Sequence, residues 1–288
     1  MADLTVIILT KNEELNIKKC IENVKPIAKR IVVVDSYSTD RTIDIAKELG
    51  AEIYQHPFKH YGAQFQWAID NCNIKTQWVF RLDADEEVSA ESRNEIEELC
   101  EKNRNTDING FVFRQIYIFM GRKIKHGSLN ILKKLCIFKY GKACMEDRYM
   151  GEQIVLTEGR SIDMKTLSYH HDFKNMTFLI NKMNWYATRE VKDIYIQDEK
   201  KDQEINTLDV PSKVRRAIKY KVYYKMPSRM RAKMFFFYCY ILRGGFLDGK
   251  EGYYFYFFEA YFYHLLVDAK QFEAEKTGII PGETGAWN

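Results

Sequence analysis

The feature that most limits how this chain can fold is an alternation, over its first hundred residues, of continuous β-rich runs with helix-spaced segments. Leu4-Thr5-Val6-Ile7-Ile8-Leu9 lacks the in-out alternation of a half-exposed strand and reads as a strand covered on both faces. Polar Thr10–Glu14 follows, then Leu15, Ile17, Cys20, Ile21 and Val24 at helical spacing, until Pro26 ends the pattern. Ile31–Val34 is a second buried strand, closed by Asp35. Thr39 or Asp40 is placed to cap a helix through Ile43, Ala46 and Leu49, with Gly50 just past its end. Ala51–Tyr54 reads as a short strand, Gly62–Cys72 as a helix, Trp78–Leu82 as a fourth strand and Ser89–Lys102 as a polar helix. This order predicts an α/β fold with a mostly parallel central sheet.

From Gly110 the texture changes. Phe111–Ile118 and Leu135–Phe138 read as strands without intervening helices, which predicts an antiparallel or mixed section completing the sheet. Asn175–Lys192 reads as a helix and Asp193–Asp209 as a polar, mobile stretch. With 288 residues, 46% of them apolar, the chain can bury a sizeable core. A net charge of +4 names no partner by itself. The six cysteines form no CxxC pair, which predicts reduced thiols in a reducing compartment. The N-terminus lacks the pattern of a signal peptide, and no run approaches the roughly 20 apolar residues of a spanning helix, so a cytoplasmic protein is expected.

Acidic groups stand at the carboxyl ends of two expected strands: Asp35 after the second, and Asp83-Ala84-Asp85 after the fourth. Ligands of open α/β sheets bind beyond those ends. Two carboxylates one residue apart repel unless a cation lies between them, and a hard ion such as Mg²⁺ or Mn²⁺ suits oxygen ligands. Such an ion would stabilise a departing diphosphate. The alternative is a solvated acidic loop capping the next helix.

Val6–Glu14, Val32–Thr42 and Trp78–Glu86, taken in this order and spacing, resemble the family 2 glycosyltransferases. The resemblance is sharpest over 4–87 and extends more loosely to about 195, where it is similar to enzymes of lipopolysaccharide-core and capsule synthesis. It implies a GT-A catalytic domain over 1–195, with a nucleotide-binding half at 1–105 and an acceptor-side half at 106–195. It further implies that Thr10, Asn12 and Glu13 line the nucleoside pocket, that Asp35 accepts the uracil N3–H, and that Asp83 lies near ribose and metal with Asp85 on the metal. Gln64 and Gln66 fall at a polar nucleotide-binding motif, although Phe65 replaces its usual basic residue; an exposed helix face is the alternative. Inverting transfer needs a general base. Glu152 aligns with the family's acid, Asp147 is the reserve, and a surface salt bridge near Arg148 is the alternative. His170 and His171, in the His170-His171-Asp172 cluster, are candidate metal ligands, His170 fitting the spacing slightly better; a polar turn flanking a helix is the alternative.

Residues 196–288 read as a helical, aromatic-rich appendage. Lys213–Lys233 is basic with no acid, and aromatic residues dominate Phe235–Tyr263. An in-plane membrane-associating hairpin on an anionic surface is expected, with core packing or homodimerisation as the alternative and nucleic acid not among the partners. The function implied is inverting, metal-dependent transfer of a hexose or N-acetylhexosamine from a UDP-sugar to a lipid-linked or lipopolysaccharide or capsule saccharide, at the inner face of the cell membrane. A metal-dependent nucleotidyltransferase would bring a Gly-rich phosphate loop, and Thr10–Leu15 has no glycine. A non-catalytic basic adaptor would leave Asp35, Asp83 and Asp85 unexplained.

Overall fold

The computed structural model describes residues 1–146, 151–171, 173–199 and 223–280, which form two compact units. The first comprises Met1–Tyr117 with the described residues of 132–147 and 152–172. The second comprises Ile118–Ile131, Gly151 and the described residues from Phe173 onward. The family resemblance implies a boundary near 195, and in the packing the helix before it groups with the C-terminal region.

In the first unit, β1 (Ala2–Thr10), α1 (Ile17–Val24), β2 (Ala28–Asp35), α2 (Thr42–Glu48), β3 (Glu52–Gln55), α3 (Tyr61–Asn71) and β4 (Trp78–Asp83) follow the expected alternation. β1 lies parallel between β2 and β4, with Thr10 opposite Asp35 and Leu9 opposite Asp83. This register brings both acids to one end of the sheet. The continuous apolar run of β1 is explained by cover on both faces: Val6 and Ile8 pack with Ile17, Ile21 and Val24 of α1, while Ile7 packs with Phe65 and Ala68 of α3.

The remaining elements are β5 (Glu86–Glu87), α4 (Ala90–Lys102), β6 (Ile108–Phe119), β7 (Arg122–Lys123), β8 (Ile131–Lys139), β9 (Ala143–Met145), β10 (Ile154–Leu156), β11 (Arg160–Asp163), β12 (Ser168–His170) and α5 (Met176–Glu199). The sheet runs β3-β2-β1-β4-β8-β6-β12-β5, and β11 also pairs with β6. β8 runs antiparallel to β4 and β12 antiparallel to β5, so the sheet is parallel on the β1–β4 side and mixed beyond, as expected from Gly110 onward. Helix starts obey local chemistry: Ser89 accepts from Ser92 N at α4, and Asp40 rather than Thr39 accepts from Thr42 N at α2. α3 begins one residue earlier than expected because the His60 ring accepts from Ala63 N.

In the second unit α5 runs to Glu199, so the expected mobile stretch from Asp193 is helical for its first residues; Asp193 is buried rather than solvated. Residues 200–209, and most of the basic run including Lys213–Lys221, lie outside the described residues. Helix Ser228–Phe236 continues as π-helix through Leu242, turns, and returns through Gly249–Tyr256, a π-helical Phe257–Phe262 and Tyr263–Thr277. The aromatic segments therefore form a helical hairpin. Ala187 and Val191 of α5 pack against Val267, Glu190 accepts from the hydroxyls of Tyr224 and Tyr263, and Arg231 pairs with buried Asp268.

Candidate active site

Two loops leave the carboxyl ends of β1 and β2 and are laced together. Thr10 Oγ1 donates to Asp35 Oδ1 (2.9 Å). The backbone N–H of Ser38 donates to Asp35 Oδ2 (2.7 Å), and the Ser38 hydroxyl to Oδ1. Asn12, in the left-handed region at φ 55°, donates its N–H to Ser38 Oγ and accepts from Thr39 N (2.8 and 2.9 Å). Glu13 N donates to Thr42 Oγ1 (2.8 Å) and its carboxylate accepts from Asn16. Thr10, Asn12 and Asp35 thus belong to one network, and Glu13 makes a separate link between the same two loops. Asp35 is fully buried, Thr10 nearly so, Glu13 half-buried and Asn12 exposed.

Gln64 is buried, not on an exposed helix face. Its amide donates to Ser36 Oγ and His56 O, and its carbonyl meets the His56 ring (2.7 Å), bracing the loop that carries Asp35. Gln66 points elsewhere: its carbonyl accepts from Met145 N (2.9 Å) and its amide donates to Asp70. Two residues apart on a helix differ by about 200° in direction, so α3 does not present both glutamines to one ligand.

The second group gathers around Asp83. The Tyr61 hydroxyl donates to Asp83 Oδ1, and Lys134 Nζ on β8 lies 3.7 Å from Asp83 Oδ2 and 3.7 Å from Glu86 Oε1. The Asp83 N–H donates to Glu86 Oε2 (3.1 Å). Burial penalises the charge on Asp83, but Lys134, Arg81, the Tyr61 hydroxyl and His170 outweigh it and bring the carboxyl down to about 2. Burial and the neighbouring Asp83 push Glu86 the other way, up from its ordinary value. The same buried patch therefore pushes the two acids in opposite directions.

His170 is the last residue of β12 and His171 lies just beyond it, and the two take different partners. His170, buried, puts Nδ1 3.7 Å from Glu86 Oε1, with its ring edge-to-face on Tyr117. His171 faces the other way and meets Glu87 through Nε2 (3.0 Å), while its N–H donates to the Asp85 carbonyl (3.0 Å). Glu152 accepts from Gly62 N (3.2 Å) in the first turn of α3, where helical N–H groups lack internal partners. α3 thus carries Tyr61 on Asp83 and Gly62 on Glu152 in consecutive residues. A Cβ at Gly62 would meet the Glu146 carbonyl at 2.9 Å and the Glu152 side chain at 3.3 Å, so only glycine lets these two residues approach this closely. Asp147, Arg148 and Asp172 lie outside the described residues.

Lys134, Tyr61, Glu86 and Arg81 were not singled out by sequence reasoning. In the sequence Lys134 is one of two adjacent lysines, and Tyr61 stands just before the helix expected from Gly62. Only the β4–β8 pairing, invisible in the sequence, sets Lys134 beside Asp83. Among the described residues no three His, Cys, Asp or Glu side chains already converge as a ready-made ion cage. The chemistry nonetheless fits a divalent ion: Asp83 is held ionised, Asp85 is adjacent, and the buried Glu86 Oε1 has no hydrogen-bond partner.

The sequence profile of glycosyl transferase family 2 matches residues 5–189. An uncharacterized glycosyltransferase of Rickettsia typhi is 30% identical over 210 residues, 69% of this chain and 70% of that protein. A lipopolysaccharide core biosynthesis glycosyltransferase, LpsC, of Rhizobium meliloti is 29% identical over 193 residues, 64% of this chain and 69% of its own. Glucosyl-3-phosphoglycerate synthase of Mycobacterium tuberculosis, solved with Mn²⁺ and UDP, matches 40% of this chain and 44% of its own at 19% identity and a TM-score of 0.33, too low to carry residue roles across. Through the profile match, which spans all the described residues gathered above, the chain belongs to glycosyl transferase family 2 and is a glycosyltransferase.

Proposed function

We propose that the enzyme transfers a hexose or N-acetylhexosamine, with inversion, from a UDP-sugar to a lipid-linked or lipopolysaccharide or capsule saccharide, using Mg²⁺ or Mn²⁺ at the inner face of a membrane. The observation that carries this reading is the environment of Asp83: a carboxylate kept ionised at the carboxyl end of a central strand, beside Asp85, Glu86 and His170. LpsC, similar in sequence, is named for lipopolysaccharide core biosynthesis and supports the acceptor class.

Asp83 and Asp85 would hold the cation, with His170 as a nitrogen ligand, and His171 bound to Glu87 outside the set. Bound there, the ion supplies positive charge to the diphosphate leaving group. Asp35 Oδ2 takes one hydrogen bond from Ser38 and retains acceptor capacity for an imide N–H such as that of uracil. Thr10 fixes the Asp35 carboxylate, and Asn12 and Glu13 border the nucleoside. Gln64 braces this loop, while Gln66 is spent on Met145. Glu152, oriented by Gly62 N, takes the proton from the acceptor hydroxyl; Asp147 is the reserve. The acceptor oxygen then bonds to the anomeric carbon on the face opposite the diphosphate, and the carbon–oxygen bond to UDP breaks. Lys134 adds a second positive charge beside the departing phosphates.

The test is UDP release from a panel of UDP-sugars with membranes and Mn²⁺. Glu152→Gln should lower turnover by a factor of about 10² to 10⁴ while UDP affinity stays as in the parent. Full activity in that variant would move the base elsewhere, and no release from any UDP-sugar would overturn the donor assignment.

A further inference from the structure

The second unit carries an apolar surface that the catalytic reading does not use. Met230, Met234, Phe237 and Ile241 recur at helical spacing along one face of the first hairpin arm and are 55%, 50%, 52% and 43% exposed. Phe246 and Leu247, in the turn, extend the strip at 48% and 55%. These are large side chains on a surface that water should disfavour. Around them Lys225, Lys233, Arg243 and Lys250 are exposed, whereas the sole acid between 223 and 250, Asp248, is buried against His126. Arg231 is likewise buried, on Asp268.

The charge pattern chooses the occupant. A two-fold dimer would pair this patch with itself and set cations against cations. A folded partner of opposite charge would have to supply both acids and a flat apolar face. A bilayer rich in anionic lipid supplies phosphates at the depth of the cations and acyl chains below them. No helix among the described residues is long and apolar enough to cross a membrane, so the arrangement is that of a hairpin lying in the surface.

We propose that the hairpin Ser228–Lys250 docks this enzyme on an anionic lipid bilayer, its apolar strip at the acyl boundary and its flanking cations on headgroup phosphates. This deepens the functional reading by naming the surface that would bring the enzyme to a lipid-linked acceptor, and it rests on that reading for its purpose only.

The test is co-sedimentation of the full chain with phosphatidylglycerol-containing vesicles and with phosphatidylcholine vesicles, alongside UDP binding with Mn²⁺ in the same preparations. The wild type should partition to the anionic vesicles, and salt should release it. Phe246→Ser with Leu247→Ser, and separately Lys233→Gln with Arg243→Gln, should each weaken partition about tenfold or more, because they remove apolar area or headgroup attraction. Both variants should bind UDP as the parent does, since the altered side chains are exposed and outside the catalytic unit. Equal partition to both vesicle types, or variants that sediment like the parent, would overturn the proposal. So would a wild-type dimer that Phe246→Ser with Leu247→Ser splits while vesicles are ignored. Vesicle-blind protein that still binds UDP would leave the transferase reading standing, and loss of UDP binding alone would leave the docking surface standing.

Discussion

At the residue scale the site is governed by how one buried patch manages charge. Lys134 is the main counterweight to burial on Asp83, and it also faces Glu86. Replacing it, in Lys134→Met, removes the ammonium that lies 3.7 Å from both carboxyl groups. Mn²⁺ alone should then stabilise the variant more than the parent, read as a larger rise in melting temperature without nucleotide. An equal rise would mean that the ammonium does not neutralise the pair. Asp35 makes a different demand. It is fully buried and accepts from the Thr10 hydroxyl and from the N–H and hydroxyl of Ser38. Asp35→Ala strands these donors and should cost about 2–3 kcal/mol in denaturant unfolding. A loss under about 0.5 kcal/mol, within the usual range for unimportant surface changes, would show that the two loops are not held by this carboxylate.

At the element scale, what was legible in the sequence is what depends on periodicity. β1 through β4 and their helices were visible because β1 is covered on both faces and α1 shows its buried stripe at Ile17, Cys20, Ile21 and Val24. The two-residue strands β5 and β7 and the three-residue strands β9, β10 and β12 were not, since a run that short has no period to read. That loss mattered, because β12 is what sets His170 opposite Glu86 and β8 is what delivers Lys134. Gln64 shows a related limit: a polar residue on a helix reads as exposed until its buried partners, Ser36 and His56, are known. α4 is fastened to the turn before β12 by Glu95, whose carboxylate accepts from the N–H groups of Lys165 and Thr166. Burial opposes its charge, but these hydrogen bonds prevail and hold the carboxyl below its usual value. A depressed folded pKa means stabilisation that is present above the unfolded value near 4.5 and is lost as pH falls below it. Glu95→Gln should therefore cost about 1 kcal/mol at neutral pH, and the difference from the parent should shrink as the unfolding is repeated at lower pH through this range. A pH-independent difference would contradict the assignment. In the second unit, Gly127 sits at φ 84°, and a Cβ there would strike the Tyr256 hydroxyl, which donates to the His126 carbonyl. Gly127→Ala should destabilise the hairpin region by about 2 kcal/mol or more, detectable as earlier proteolysis of residues beyond 223. Unchanged proteolysis would mean that the loop yields without cost.

At the scale of the whole molecule, the chain divides its tasks between a unit that holds acids at the ends of parallel strands and a helical unit with an exposed, cation-rimmed apolar strip. The first was readable from three ordered motifs. The second was readable in composition only, because a basic and aromatic sequence does not say which aromatic side chains are buried. The structure does: Phe255 and Tyr256 face inward and Phe237, Phe246 and Tyr254 outward.

The central claim is that a cation held at Asp83 and Asp85 grips the diphosphate of a sugar nucleotide. Calorimetric titration of UDP into the protein, with Mn²⁺ and after its removal by chelator, in the parent and in Asp85→Ala, tests it most directly. The account predicts that chelation or the substitution each lowers UDP affinity by at least about tenfold, near 1.4 kcal/mol, and that the two losses together are no greater than either alone. UDP binding of equal strength in all four titrations would contradict it.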